Sequence, residues 1–555
     1  MNKKVCSFPI LFALLALLIG TCAVVFPASA QAAPTSTGSI TVSGTVASSY
    51  DAYQIFSANV VDGDSDAKIA TDLAWASDAA RDAVLPVLHS AGMPNSQTTA
   101  QEAAEWLNTD SHLTSALSAQ LARSLQSSDA ESVALNAGTT AELSCGYWLI
   151  VADDDAIAQN EAGTAPIMAL VGGSAVTVKP KAATPKVAKH VLEDSTAAWQ
   201  KAADATVADD LYWRLSATVP AGLTAYDTYT LRFVDTMGAG LDPSKVAASM
   251  RVYVAAGADG GFDAVPAGKD GRAGTEPAKG WTDITAQCAT KVAADGTFTV
   301  RTGDLIAALG GADAFTAGAR VVAVYNAPLN SACNHGIAKG NPNEVYLRYP
   351  RSPFADQSGD AGFTRTPSDD ACAYTWDLAL TKRGSDGDKP LAGAILSITD
   401  DRGRTLAADG TWDAEGKATV TTGEDGRVTV SGVDSGKLEV RELKAPKGYT
   451  AFEGARSVTV KAEGLDVDQV AAAKPKLTIT AESPLRADSA DGSTGSLEAS
   501  LINTPTGTPP SITTGGFMPS TGDMAMYAAA AAAVAGAALI VVALLVKRGG
   551  GSHKE

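Results

Sequence analysis

At 555 residues the chain is too long for a single compact core and predicts about three domains. Its 61 acidic residues outnumber 43 basic ones for a net charge of −18, which excludes a nucleic-acid partner, since a phosphate backbone attracts basic surfaces. The five histidines lack ligand spacing, no Gly-rich phosphate loop follows a strand, and no Ser or Cys sits in a nucleophile motif. Neither a metal, a cofactor nor a turnover enzyme is therefore expected.

Residues 1–30 read as a secretory signal peptide, with Lys3-Lys4, an apolar core over residues 10–25, and Pro27-Ala28-Ser29-Ala30 as the cleavage site. Export puts the mature chain where disulfides are allowed; among Cys145, Cys288, Cys333 and Cys372 the expected pair is Cys288–Cys333. A first domain is expected over residues 35–180, with alternation predicting strands at 39–46, 53–56, 146–151, 167–171 and 175–178. Between them lies a helical insertion. Thr99 and Glu102 form a capping box, and Leu113, Leu117, Leu121 and Leu125 recur every four residues as one helical stripe. Val176 and Val178 face inward, so Lys179 and Lys181 face solvent, and the nearby prolines mark a domain junction.

A second domain, residues 181–370, is nearly all strand and turn. Val187 and Val191 put Lys189 on an apolar face; Tyr229, Leu231 and Phe233 do the same for Asp235; Val345, Leu347 and Tyr349 do so for Asn343. Asn343 is preferred to Asn341 because Pro342 is expected to end the strand. A third domain, residues 371–505, repeats the pattern. Trp376, Leu378 and Leu380 lead to Lys382, Leu438 and Val440 to Glu442, and Leu497, Ala499 and Leu501 to Asn503. Residues 506–517 are a Pro/Gly/Thr spacer. The apolar run 524–546 before Lys547 and Arg548 predicts a transmembrane helix with a cytoplasmic end.

A buried lysine without a partner is costly, so each inward Lys calls for one. A buried ion pair, with Asn completing the hydrogen bonds, is one answer. The other uses burial as chemistry. Desolvation lowers the Lys pKa and raises that of the carboxyl, so both become neutral. The amine is then a nucleophile, and the acid polarises the Asn carbonyl. Attack expels ammonia and leaves a Lys–Asn amide, once per domain.

Met518-Pro519-Ser520-Thr521-Gly522, with the apolar run and basic tail behind it, resembles the sorting signal of Gram-positive surface proteins, with Met518 where Leu is usual. Val176-Thr-Val-Lys-Pro-Lys181 resembles the pilin motif, and residues 439–449 resemble the E-box that carries a catalytic Glu. Residues 233–236 and 341–349 resemble signatures of a pilin middle domain. Together they resemble sortase-assembled major (backbone) pilins with isopeptide-forming Cna B-type domains. The resemblance implies a mainly β fold of tandem Ig-like sandwiches, the first with the helical insertion. It also implies sortase cleavage between Thr521 and Gly522 and transfer to Lys181 of the next copy, with Lys179 as second candidate. Isopeptide bonds Lys382–Asn503 and Lys189–Asn343 follow, with Glu442 and Asp235 as their acids. The implied partners are copies of itself, sortase, peptidoglycan, accessory pilins and host surface ligands, at the Gram-positive cell wall. A monomeric wall-anchored adhesin is the alternative.

Overall fold

The computed structural model describes residues 36–507 except 45, 65–66, 110, 181–182, 258–260, 263 and 265–274. Lys181, the signal peptide, the sorting signal Met518–Gly522 and the apolar run 524–546 lie outside the described residues. Among the described residues no helix is long and apolar enough to cross a membrane.

Alternation along the chain becomes paired sheets with apolar residues between them, and the architecture is mainly β. In the N-terminal unit the long strand Ser49–Asp62 is central, pairing with Lys68–Trp75, Ser132–Asn136 and Gly146–Ala152. A small second sheet sets Thr37–Val42 between Thr140–Ser144 and Val176–Val178. Three helices, Asp78–Ser90, Ala100–Asn108 and Ser115–Gln126, pack on the larger sheet through a core that includes Phe56, Val84, Leu121 and Leu149. The Thr99–Glu102 capping box is formed. Leu113, however, is outside the helical stripe: Thr114 caps the last helix, and Leu113 is 38% exposed while Leu117, Leu121 and Leu125 are buried. The first strand also stops at Val42 rather than at 46, where the chain turns through Gly44 at φ 139°.

The middle unit packs a six-stranded sheet against a seven-stranded one. The first runs Ala198–Gln200, Lys186–Glu193, Tyr212–Val219, Ala319–Asn326, Arg251–Ala256, Thr282–Asp283. The second contains Asp369–Tyr374, Asn341–Pro350, Arg232–Met237 and Thr297–Arg301 as consecutive neighbours. Trp213, Leu215, Phe233, Val300 and Leu347 fill the space between them. Pro342 does not end its strand: Asn341 pairs with Ala373 and Asn343 with Ala371, because a proline near a strand start removes only one ladder donor.

The C-terminal unit is a five-stranded sheet facing a seven-stranded one. Its first strand, Trp376–Gly384, lies parallel to its last, Ser496–Pro505, in register from Asp377 with Ser496 to Gly384 with Asn503. Gly436–Lys444 lies in the other sheet between Ile395–Thr399 and Ala455–Glu463. The middle and C-terminal units are joined by polar contacts. Asp209 accepts from Arg402 and Arg404, and Trp376 Nε1 donates to Asp204 Oδ2 at 2.7 Å.

One glycine sets the register of the N-terminal unit. Gly146 has φ 140°, and a Cβ there would lie 2.0 Å from the Phe56 carbonyl oxygen, where the ladder shifts by one residue between Gln54 and Phe56. Gly146→Ala should therefore destabilise this unit by about 2–3 kcal/mol, seen as earlier protease cleavage within residues 36–178 on heating. Unchanged protection would contradict this account.

Candidate functional site

Each inward lysine finds its partners on strands far away in the chain. Lys189 on Lys186–Glu193 is fully buried and belongs to the six-stranded sheet of the middle unit. Asp235 on Arg232–Met237 and Asn343 on Asn341–Pro350 come from the facing sheet and are also fully buried. The three converge on the Tyr325 hydroxyl. Lys189 Nζ donates to it at 2.9 Å, Asn343 Nδ2 donates to it at 2.8 Å, and it donates to Asp235 Oδ2 at 3.1 Å. Lys189 Nζ also pairs directly with Asp235. Trp213 and Tyr325 turn their rings toward the amine, 5.6 and 5.5 Å from ring centre to Nζ. Asp235 Oδ1 and Asn343 Oδ1 are buried without a hydrogen-bond partner.

In the C-terminal unit the lysine and asparagine share one sheet. Lys382 lies on the first strand and Asn503 on the neighbouring last strand, so their side chains reach one another directly. Glu442 approaches from the facing sheet. Its Oε1 is 3.1 Å from Lys382 Nζ, and its two oxygens accept from Asn503 Nδ2 at 2.9 and 3.1 Å. The backbone N–H of Phe452 adds a further donor to Glu442 at 3.2 Å.

Burial dominates the electrostatics of both clusters. It pulls the Lys189 amine down to about 8, the nearby Asp235 opposing the shift, and it pushes the Asp235 carboxyl above the usual carboxylate range. The Lys382 amine is likewise drawn down to about 8, with Glu442 as the opposing charge. A substantial neutral-amine fraction at mildly alkaline pH is therefore built into both sites.

Sequence reasoning missed Tyr325. Its signal was present: Val321 and Ala323 are inward on Ala319–Asn326, and the same phase carries Tyr325. Phe298 packs edge-on against that ring at 4.8 Å. Asn341 is also buried on the face of Asn343, but it is occupied by Asn334 and the Ala373 carbonyl. Lys179 is exposed just past Val176–Val178. The expected Cys288–Cys333 disulfide is absent, and both are free thiols. They point to different places: Cys288 Sγ donates to the Ile284 carbonyl, whereas Cys333 faces His335 on a loop against the C-terminal unit. Among the described residues no cluster of metal-binding side chains occurs.

The depressed Lys382 pKa has a sign. An unfolded lysine titrates near 10.4, so between about pH 8 and 10.4 the unfolded chain binds more protons than the folded one, and stability rises with pH. In Asn503→Ala, which keeps the buried Lys382 amine, the C-terminal unit should gain stability across that window by about 2 kcal/mol. Denaturant titrations at stepped pH check this; a flat or falling profile would contradict the burial argument.

Residues 377–474 match the model of the SpaA prealbumin-like fold domain. Over 134 residues the chain is 31% identical to the trypsin-resistant surface T6 protein of Streptococcus pyogenes serotype M6, a match covering 23% of each protein. Among solved structures, the T6 backbone pilin of serotype M6 Streptococcus pyogenes is similar at a TM-score of 0.45 and 16% identity, covering 85% of this chain and 98% of that one. The full-length major pilin SpaD of Corynebacterium diphtheriae gives 0.40 and 15% identity, with coverage of 85% and 98%. The stretch that carries Lys382 and Glu442 is thus a SpaA-type prealbumin-like domain, and part of the chain is homologous to a streptococcal surface protein.

Proposed function

We propose that this protein is the backbone subunit of a covalent surface fibre, with its middle and C-terminal units each closed by one Lys–Asn isopeptide bond. The observation that carries the reading is the recurrence, in two successive β units, of a buried lysine, carboxyl and asparagine in contact. The sequence likeness to the T6 surface protein and the SpaA-type domain support it.

In the C-terminal unit the neutral Lys382 amine attacks the Asn503 side-chain carbonyl carbon. A C–N bond forms to Lys382 and the bond to Nδ2 breaks. Glu442 carries the amine's proton to the departing nitrogen, which leaves as ammonia. Its present contact with Nδ2 suits that delivery; rotation of the amide would turn the carbonyl toward the Glu442 carboxyl for activation. Lys189, Asp235 and Asn343 take the same roles in the middle unit, with the Tyr325 hydroxyl as a proton relay between them. Each bond would close a loop of over a hundred residues and restrict the unfolded chain by about 5 kcal/mol. Copies are joined when a sortase cleaves Thr521–Gly522 and transfers the Thr521 carbonyl to Lys181 or Lys179 of the next subunit. Peptidoglycan takes the same carbonyl at the fibre base, and the assembled fibre supports adhesion.

Intact mass of the purified chain tests the internal bonds: two ammonia losses are expected, one in Glu442→Ala or Asp235→Ala, and none in the double variant. A mass equal to the sequence mass would overturn the bonds. Wall extracts boiled in detergent should show a high-mass ladder that disappears when Lys181 and Lys179 are both replaced by Ala. A persistent ladder would remove these acceptors, and a single wall-linked band would favour the monomeric adhesin.

A further inference from the structure

The segment 330–340 leaves the middle unit and presses against the C-terminal one. Gly336 N donates to the Thr375 carbonyl at 3.0 Å, and Ile337 N to the Gly492 carbonyl at 3.2 Å. The backbones touch at two glycines. A Cβ on Gly336 would lie 2.5 Å from the Thr494 carbonyl carbon, and one on Gly495 would lie 2.5 Å from Gly336 N. This seat fixes the residue before it: His335 Nδ1 is 2.7 Å from Asp377 Oδ1 on Trp376–Gly384. Asp377 Oδ1 is itself held by Ser431 Oγ at 2.6 Å and Gly432 N at 3.1 Å.

A carboxylate only accepts, so Nδ1 carries the imidazole proton and Nε2 is left as an acceptor. Cys333 Sγ stands 3.5 Å from Nε2. A thiol, a base and a carboxylate that orients the base are therefore aligned, all three half-buried and reachable from solvent. Burial, with Asp377 adding to it, pushes the Cys333 thiol up to about 11, so it rests protonated and its proton has to be removed during attack. The other described thiols lack this arrangement. Cys145 and Cys372 are buried, and Cys288 donates to a backbone carbonyl.

We propose that Cys333 is a base-assisted nucleophilic thiol that captures small disulfide-bearing molecules, with His335 as the base and Asp377 as its positioning residue. The Cys333 sulfur bonds to one sulfur of the incoming disulfide while the original S–S bond breaks. The thiol proton passes to His335 Nε2 and then to the departing thiolate. The products are a mixed disulfide on Cys333 and one free thiol, and the incoming disulfide is the only oxidant. The site is independent of isopeptide formation and of fibre assembly.

The titratable groups against His335 are Cys333 on its own segment and Asp377; the facing backbone of Gly495 and the Ser431 hydroxyl do not titrate near neutrality. The probe is bis(nitrocarboxyphenyl) disulfide, added to the full-length chain, with the released coloured thiolate followed in time and the modified cysteine located by peptide mapping. Cys333 should react at least about tenfold faster than Cys288, with a pH inflection well below the thiol's own range at about 11. His335→Gln should reduce the rate to that of Cys288 and remove the inflection. Asp377→Asn also disturbs the Ser431 contact, so the His335→Gln comparison and the pH profile of the unsubstituted chain decide. Labelling of Cys333 no faster than Cys288, an inflection only in the thiol range, or an unchanged rate in His335→Gln would overturn the proposal.

Discussion

Enclosing a lysine amine between two β sheets is the constraint on which the rest of this molecule turns. Lys189 and Lys382 are both fully buried, and an unpartnered ammonium in such a place would cost several kcal/mol. The cost is met by a carboxyl from the opposite sheet, which makes correct sheet-on-sheet packing a condition for tolerating the lysine. Register is fixed by the same demand. A slip of one residue on Trp376–Gly384 would turn Lys382 outward and bring its neighbours Thr381 and Arg383 into the core phase.

The two clusters solve this problem differently. In the C-terminal unit lysine and asparagine are on adjacent strands and touch, while the acid arrives from across the core. In the middle unit lysine lies across the core from both partners; it pairs directly with Asp235, and the Tyr325 hydroxyl links it to Asn343. The Tyr325 pKa is pushed well above its ordinary value by burial, so the hydroxyl stays protonated and can both accept from the amine and donate to Asp235. Two unsatisfied oxygens, on Asp235 and Asn343, remain in this second arrangement. A proton on the Asp235 carboxyl gives one of them a role as donor, in keeping with the upward shift that burial imposes.

What the sequence revealed was set by period. Strands that bury one face have strict alternation, and the phase of Leu378 and Leu380, or of Leu231 and Phe233, carried directly to Lys382 and Asp235. Tyr325 was legible by the same rule but escaped because a tyrosine on an apolar face raises no question of charge. Asn341 and Asn343 share a face, and only tertiary placement assigns one to Tyr325 and the other to Asn334. The Cys333–His335–Asp377 arrangement had no sequence signature, since its third member is brought in by the docking of one unit on another. The free state of Cys288 and Cys333 was hidden for a similar reason: being in one unit says nothing about which way two side chains point.

The parallel pairing of Trp376–Gly384 with Ser496–Pro505 has a mechanical meaning apart from any covalent bond. The chain enters the unit at the start of the one strand and leaves at the end of the other, and in parallel neighbours these points lie at opposite ends of the ladder. A pull on the two ends therefore slides the strands along each other. Every rung from Asp377–Ser496 to Gly384–Asn503 is loaded together, in shear, whereas an antiparallel hairpin pulled from its open end would peel one rung at a time. Strand order alone makes this unit resist extension cooperatively.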